Sequence, residues 1–133
     1  MKRHYLCLLA AAAWAGSAAG ALAAGDPAEG EKTYKQKCSP CHQIGEGAKN
    51  TVGPELNGLI GRKTGSVPGY NYSDANKSSG ITWDDASLNE YLINPKAKVP
   101  GTKMILPGGI PKDSDRENLI AYLAQFDADG KKK

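Results

Sequence analysis

Cys38-Ser39-Pro40-Cys41-His42 places two thiols one helical turn apart and an imidazole beside the second. Thiols at that spacing can each add to one of the two vinyl groups of a haem, with the adjacent histidine beneath the iron. C-x-x-C-H is the attachment pattern of c-type haem. Other chemistries fit the same letters. A simple disulfide between Cys38 and Cys41 suits an oxidising compartment. A redox-active dithiol of thioredoxin type accepts Cys-Ser-Pro-Cys, but it belongs at a helix start that follows a strand in a βαβ unit. A zinc site needs about four ligands, usually Cys and His.

The rest of the chain bears on these alternatives. Met1-Lys2-Arg3, the apolar run from Tyr5 to Ala15 and the small-x-small stretch Ala21-Leu22-Ala23 read as a bacterial secretory signal peptide over 1–24. The apolar run is shorter than the roughly 20 residues that span a bilayer. An uncleaved membrane anchor is the alternative. Removal of 1–24 takes Cys7, His4 and Met1 with it and leaves two cysteines, one histidine (His42) and one methionine (Met104). Three Cys and His residues fall short of a zinc site. Without Lys2 and Arg3, the 17 basic residues of the whole chain become 15, against 14 acidic ones. A charge so nearly balanced excludes a general nucleic-acid binder, which displaces counterions with a strong basic excess.

A single domain is expected over 25–126, followed by a polar, disordered tail over 127–133 that ends in three lysines. Phe126 is the only phenylalanine. A chain so small and so poor in large side chains buries a modest core, and a large apolar cofactor at its centre would supply what the side chains lack.

Asp26-Pro27 reads as a helix start, with Asp as N-cap and Pro in the first turn. Gly30, Tyr34 and Cys38 then share one helix face, and Gly30 suits a close helix crossing. The motif therefore ends a helix, and no βαβ unit surrounds it. From Gly45 to Gly80 turn pairs dominate (Gly53-Pro54, Asn57-Gly58, Pro68-Gly69, Ser79-Gly80). Loops of that length are acceptable in a compact domain if they wrap an internal object. A short helix is expected around Ser73 to Lys77. A longer one is expected from Thr82 to Asn94, opened by Asp84 and Asp85, lined by Leu88, Tyr91 and Leu92 and stopped by Asn94-Pro95. Pro100 to Pro111 cannot be regular helix. Ser114-Asp115-Arg116-Glu117 reads as a capping box ahead of an apolar stripe of Leu119, Ile120, Tyr122, Leu123 and Phe126. With no strand alternation, the fold class is all-α.

Haem sites that transfer electrons pair His with Met, which raises the potential. Met104 is the methionine left for that role, on a loop flanked by turn residues. Gap-filling in a core is its alternative use. With both axial positions filled, no site is open to substrate, which argues for an electron-transfer protein and not an enzyme. A peroxidase, reached if Met104 left the iron, and the thiol–disulfide oxidoreductase are the competing functions.

Beyond the motif, the stretches Thr51 to Gly65, Tyr72 to Lys77, Gly80 to Trp83, Pro100 to Met104 and Leu119 to Leu123 resemble class I cytochrome c of the mitochondrial type and its soluble relatives in bacterial periplasms. The resemblance covers Gly30 to Ala124. It implies helices and loops wrapped around one covalently bound haem c, the first and last helices crossing. It implies thioether bonds to Cys38 and Cys41 and iron ligation by His42 and Met104. Pro54 would accept a hydrogen bond from the His42 ring and Tyr91 would lie beside the Met104 sulfur. Arg62, Tyr72, Ser73, Asn76 and Trp83 would hold the haem propionates and nearby water, with Thr102 within reach of a propionate. Lys37, Lys49, Lys96, Lys103 and Lys112 would form the docking face for acidic partners.

The same resemblance implies a monomeric periplasmic carrier of single electrons. Its donor would be a membrane quinol-oxidising cytochrome complex. Its acceptor would be a terminal oxidase, a periplasmic reductase or peroxidase, or a photosynthetic reaction centre. Two departures fall on the partner face. The segment Ile105 to Ile110 is one residue longer than the mitochondrial pattern and carries Leu106 where phenylalanine is common. Ala97 and Pro111 stand where lysines are frequent.

Overall fold

Asp26 accepts hydrogen bonds from the backbone N–H groups of Ala28 and Glu29, and Pro27 opens helix α1, Pro27–Lys37. This is the start expected from the sequence. The computed structural model describes residues 25–133; the expected signal segment, 1–24, lies outside the described residues. The further helices are α2 (Asp74–Ser78), α3 (Asp85–Ile93), α4 (Pro95–Lys98) and α5 (Asp113–Leu123). Among the described residues β-structure is limited to the isolated bridges Lys63 to Thr82 and Phe126 to Lys132. The architecture is all-α.

The most extensive helix pairing joins α1 to α5. Gly30 makes it possible: a Cβ there would lie 1.9 Å from the Asn118 carbonyl oxygen. Tyr34 stacks at a tilt on Tyr122, ring centroids 5.4 Å apart, and Leu119 between the helices is fully buried. Asp26 N–H donates to Asn118 Oδ1 at 2.7 Å and ties the start of α1 across the crossing. Core residues from α3 (Leu88, Tyr91, Leu92) join the same apolar cluster.

The helix boundaries depart from expectation in three places. Thr82 is drawn into its bridge with Lys63, so α3 begins later. Asp84 caps it, in a reciprocal box with Ser87. Asn94-Pro95 does end α3, but Asn94 then caps the single turn of α4, with Pro95 in its first turn. The capping box expected at Ser114 does not form. Helix α5 starts at Asp113 after Lys112, with no side-chain cap. The buried Arg116 anchors that turn, binding the Asp113 carboxylate, the carbonyls of Ile110 and Pro111, and Asn89 Oδ1.

The tail over 127–133, expected to be disordered, is instead a closed turn. Asp127 Oδ1 accepts from the N–H groups of Asp129 and Lys131, both at 2.9 Å. Lys133 N–H returns to the Gln125 carbonyl at 2.8 Å. Local side-chain-to-backbone bonding by Asp supplies an ordering force that a count of charges does not register.

Candidate functional site

Helix α1 delivers Cys38 at its C-cap, and the chain then curls tightly. The N–H groups of Cys41 and His42 both donate to the Cys38 carbonyl, at 3.0 and 2.9 Å. This brings both thiols and the imidazole to one cavity of about 390 Å3, within the usual range for cofactor sites of about 300–1,000 Å3. The His42 ring lies so close over Gly53 that a Cβ there would fall 2.3 Å from its Cε1. Its Nδ1 is 2.7 Å from the Pro54 carbonyl oxygen. A carbonyl only accepts, so Nδ1 carries the proton and Nε2 keeps a lone pair for a metal. Burial is the main force pushing the His42 pKa below its ordinary value, with Arg62 acting in the same direction against the Pro54 bond; the neutral, ligating form is favoured.

Met104 sits on another wall of the same cavity, on the irregular segment between α4 and α5. Tyr91 lines it too, but its hydroxyl pairs with Thr102 Oγ1 at 2.9 Å, and the same Thr102 oxygen accepts from Met104 N–H at 3.2 Å. The remaining expected residues (Arg62, Tyr72, Ser73, Asn76, Trp83) are all on the cavity wall. Ser73 Oγ donates to Asn76 Oδ1 at 2.7 Å, and the Tyr72 hydroxyl accepts from Val67 N–H at 3.1 Å. Arg62 is held by the carbonyls of Asn57 and Glu55, at 2.8 and 3.0 Å, and by the Glu55 carboxylate at 3.5 Å.

The five lysines divide. All are exposed, but only Lys37 and Lys103 border the cavity; Lys49, Lys96 and Lys112 do not line it. Val52 and Ile105, which line the same cavity, expose 71% and 75% of their surface and add apolar area to its border. Sequence reasoning missed Tyr70, whose ring meets Tyr72 edge-on at 4.8 Å and whose hydroxyl donates to the Val52 carbonyl. Two tyrosines two residues apart in a polar loop were the available signal. Glu55 was missed as well, since nothing local in the sequence pairs it with Arg62.

The donor set suits a c-type haem: two thiols, an imidazole with a free Nε2 and a thioether around a largely apolar cavity. A thiol–disulfide exchange site is a poor fit. Burial, followed by the neighbouring Cys41, pushes the Cys38 thiol up to about 12, far from the thiolate that such exchange requires.

A sequence model of the family described as cytochrome c matches residues 27–127. The chain belongs to the cytochrome c family. It is similar to cytochrome c-554 of Methylosinus trichosporium, 59% identical over 96% of each chain. To cytochrome c2 of Rhodoblastus acidophilus it is 58% identical, over 82% of this chain and all of that one. Among solved structures, cytochrome cH from Methylobacterium extorquens superposes with a TM-score of 0.68 at 48% identity, covering 74% of this chain and 97% of the other. Cytochromes c of this class are bacterial soluble electron carriers, not enzymes, and they hold haem c covalently and pass electrons between redox partners. Among the described residues no helix is long and apolar enough to cross a membrane.

Proposed function

We propose that this cytochrome c carries single electrons in the periplasm, with its haem joined to Cys38 and Cys41 and its iron held by His42 and Met104. The observation that carries the assignment is the Nδ1 hydrogen bond to Pro54, which fixes the His42 tautomer and leaves Nε2 to the metal, on the cavity that Met104 also lines. The haem supplies reversible one-electron chemistry between Fe(III) and Fe(II). The protein's own residues set the conditions. Pro54 orients the imidazole and raises its basicity. Thr102 fixes the backbone of Met104. Arg62, Tyr72, Ser73, Asn76 and Trp83 supply the polar groups for the propionates, with Thr102 and Tyr91 extending that network.

Residues 1–24 direct export and are then removed. The donor is a membrane quinol-oxidising cytochrome complex. The acceptor is a terminal oxidase, a periplasmic reductase or peroxidase, or a reaction centre. Lys37 and Lys103 at the cavity border steer acidic partners, with Lys49, Lys96 and Lys112 extending the basic field.

The test is optical. The reduced protein should be low-spin, and the oxidised protein should show a weak sulfur-to-iron band that Met104→Ala abolishes while lowering the potential. A colourless protein, or a band and potential unmoved by M104A, would sink the ligand assignment. Electron transfer to an acidic partner should slow with added salt and slow further in Lys103→Glu; salt-independent rates would sink the docking face.

A further inference from the structure

The C-terminal turn is closely bonded for a segment that lies, apart from Phe126 and Asp127, beyond the 27–127 match to the family. Asp127 organises it through the two bonds already described, and Gly130 N–H closes it onto the Asp127 carbonyl at 3.0 Å. Gly130 is buried at φ +82°, and a Cβ there would lie 2.2 Å from the Gly45 carbonyl. On the turn's other edge Gly58 N–H donates to the Phe126 carbonyl at 3.3 Å, and a Cβ on Gly58 would lie 3.0 Å from Ala128.

What the turn rests on matters more than the turn itself. Gly45 and Gly58 flank a stem. Leu56 N–H donates to the Gln43 carbonyl at 3.0 Å. The Asn57 side chain takes the Gly45 N–H at 2.8 Å and gives to the Gly45 carbonyl at 2.9 Å. One arm of this stem continues directly from His42, and the other follows directly from Pro54. The two arms that carry the imidazole and its carbonyl acceptor are thus joined by a stem that the C-terminal turn touches at Gly45 and Gly58.

We propose that the turn over 126–133 is a positioning element for His42, clamping the stem so that the Nδ1 hydrogen bond to Pro54 keeps its geometry. This rests on His42 being the iron ligand. A tighter acceptor makes the imidazole more basic and favours the oxidised metal, so loosening the turn raises the potential.

The test uses full-length holoprotein carrying Gly130→Val, Asp127→Ala or Asp127→Asn. Gly130→Val pries the turn from Gly45, Asp127→Ala unties it without adding bulk, and Asp127→Asn keeps an acceptor oxygen. Two quantities are read: solvent exchange of the His42 ring Nδ1 proton by NMR, and the reduction potential. G130V and D127A should speed that exchange roughly fivefold, the size of losing one net hydrogen bond, and should raise the potential. D127N should return both to the unsubstituted values, and the sulfur-to-iron band should stay constant throughout. Exchange and potential unchanged in variants of lowered global stability would make the turn a mere brace and overturn the proposal. If G130V does not fold, the D127A and D127N pair makes the same comparison. Absence of a haem-shifted His42 ring resonance in the unsubstituted protein would remove His42 from the iron, and the proposal with it, before any variant is read.

Discussion

His42 and Met104 stand on supports of different construction. His42 is held on several sides, mostly by backbone. Its N–H donates to Cys38, its carbonyl accepts from the Tyr34 hydroxyl at 2.9 Å, and its ring lies on Gly53 and bonds to Pro54. The loop beyond it is stitched by Gly53 N–H to the Cys41 carbonyl, by the stem at Gln43 and Leu56, and by the C-terminal turn. Met104 has one backbone bond, to the Thr102 side chain, and its neighbour Ile105 is largely exposed. Its segment is anchored at the ends, where Thr102 N–H meets the Val99 carbonyl and Ile110 N–H meets the Leu92 carbonyl. Segments with few buried bonds open at lower free energy than the rest of a fold. The methionine side is thus the side that yields first.

Gly53→Val should have the largest effect, on the histidine side. Its Cβ would collide with the His42 ring, so either the ring or the loop must shift. Holoprotein should fail to accumulate, as measured by haem content per chain; normal content at an unchanged potential would show that the ring is not held there. Arg116→Met comes next, on the other side. It removes the guanidinium that satisfies the Ile110 and Pro111 carbonyls at the end of the methionine segment. Loss of buried charged hydrogen bonds predicts about 3 kcal/mol of destabilisation in a denaturant titration. Thr102→Val is milder. It keeps shape but removes the hydroxyl shared by Tyr91 and Met104 N–H, a loss of about 1–2 kcal/mol. The sulfur-to-iron band should then disappear at lower denaturant while amide exchange over 42–57 is unchanged. Faster exchange over 42–57 in T102V would contradict the division between the two sides.

The two sides also differed in how far the sequence revealed them. The motif at Cys38 to His42 is local chemistry, and helix starts such as Asp26-Pro27 are local capping, so both could be read one turn at a time. The resemblance to a family then supplied Pro54, and the structure places its carbonyl 2.7 Å from the ring. The spacing of Ser114 and Glu117 reads as a capping box that includes Arg116. Of the arginine's partners only Asp113 stands at helical spacing; Asn89 and the carbonyls of Ile110 and Pro111 are connected to it by no spacing rule. The tail failed for a related reason. Charge and terminal position argue for fraying, whereas its order comes from Asp127 bonding locally and from Gly130 fitting against Gly45, a contact across the whole domain. Patterns within a turn were legible, and so was the crossing at Gly30, because a glycine on a buried helix face is itself a signal. The fit of Gly130 against Gly45, at the end of the chain and outside any helix, had no such signal.

The smallest effect expected belongs to Tyr34→Phe, and its size changes with pH. Burial, followed by Tyr122, pushes the Tyr34 phenol up to about 12 from an ordinary value of 10.0. Below pH 10.0 the phenol is neutral in both folded and unfolded chains, and its hydrogen bond to the His42 carbonyl contributes about 1 kcal/mol that the variant lacks. Between 10.0 and about 12 the unfolded chain gives up the proton while the folded protein retains it, so stability falls as pH rises through that window. Phenylalanine has no such proton. The variant should be the less stable protein at pH 7, and the deficit should shrink as pH climbs past 10.0. Tyr72, Tyr91 and Tyr122 are pushed upward by burial as well, so the alkaline slope of the variant is reduced and not abolished. Urea unfolding of both proteins across that pH range is the measurement. A deficit that stays constant with pH would mean that the Tyr34 phenol ionises as readily folded as unfolded, and that the backbone support of His42 is more open to water than its packing implies.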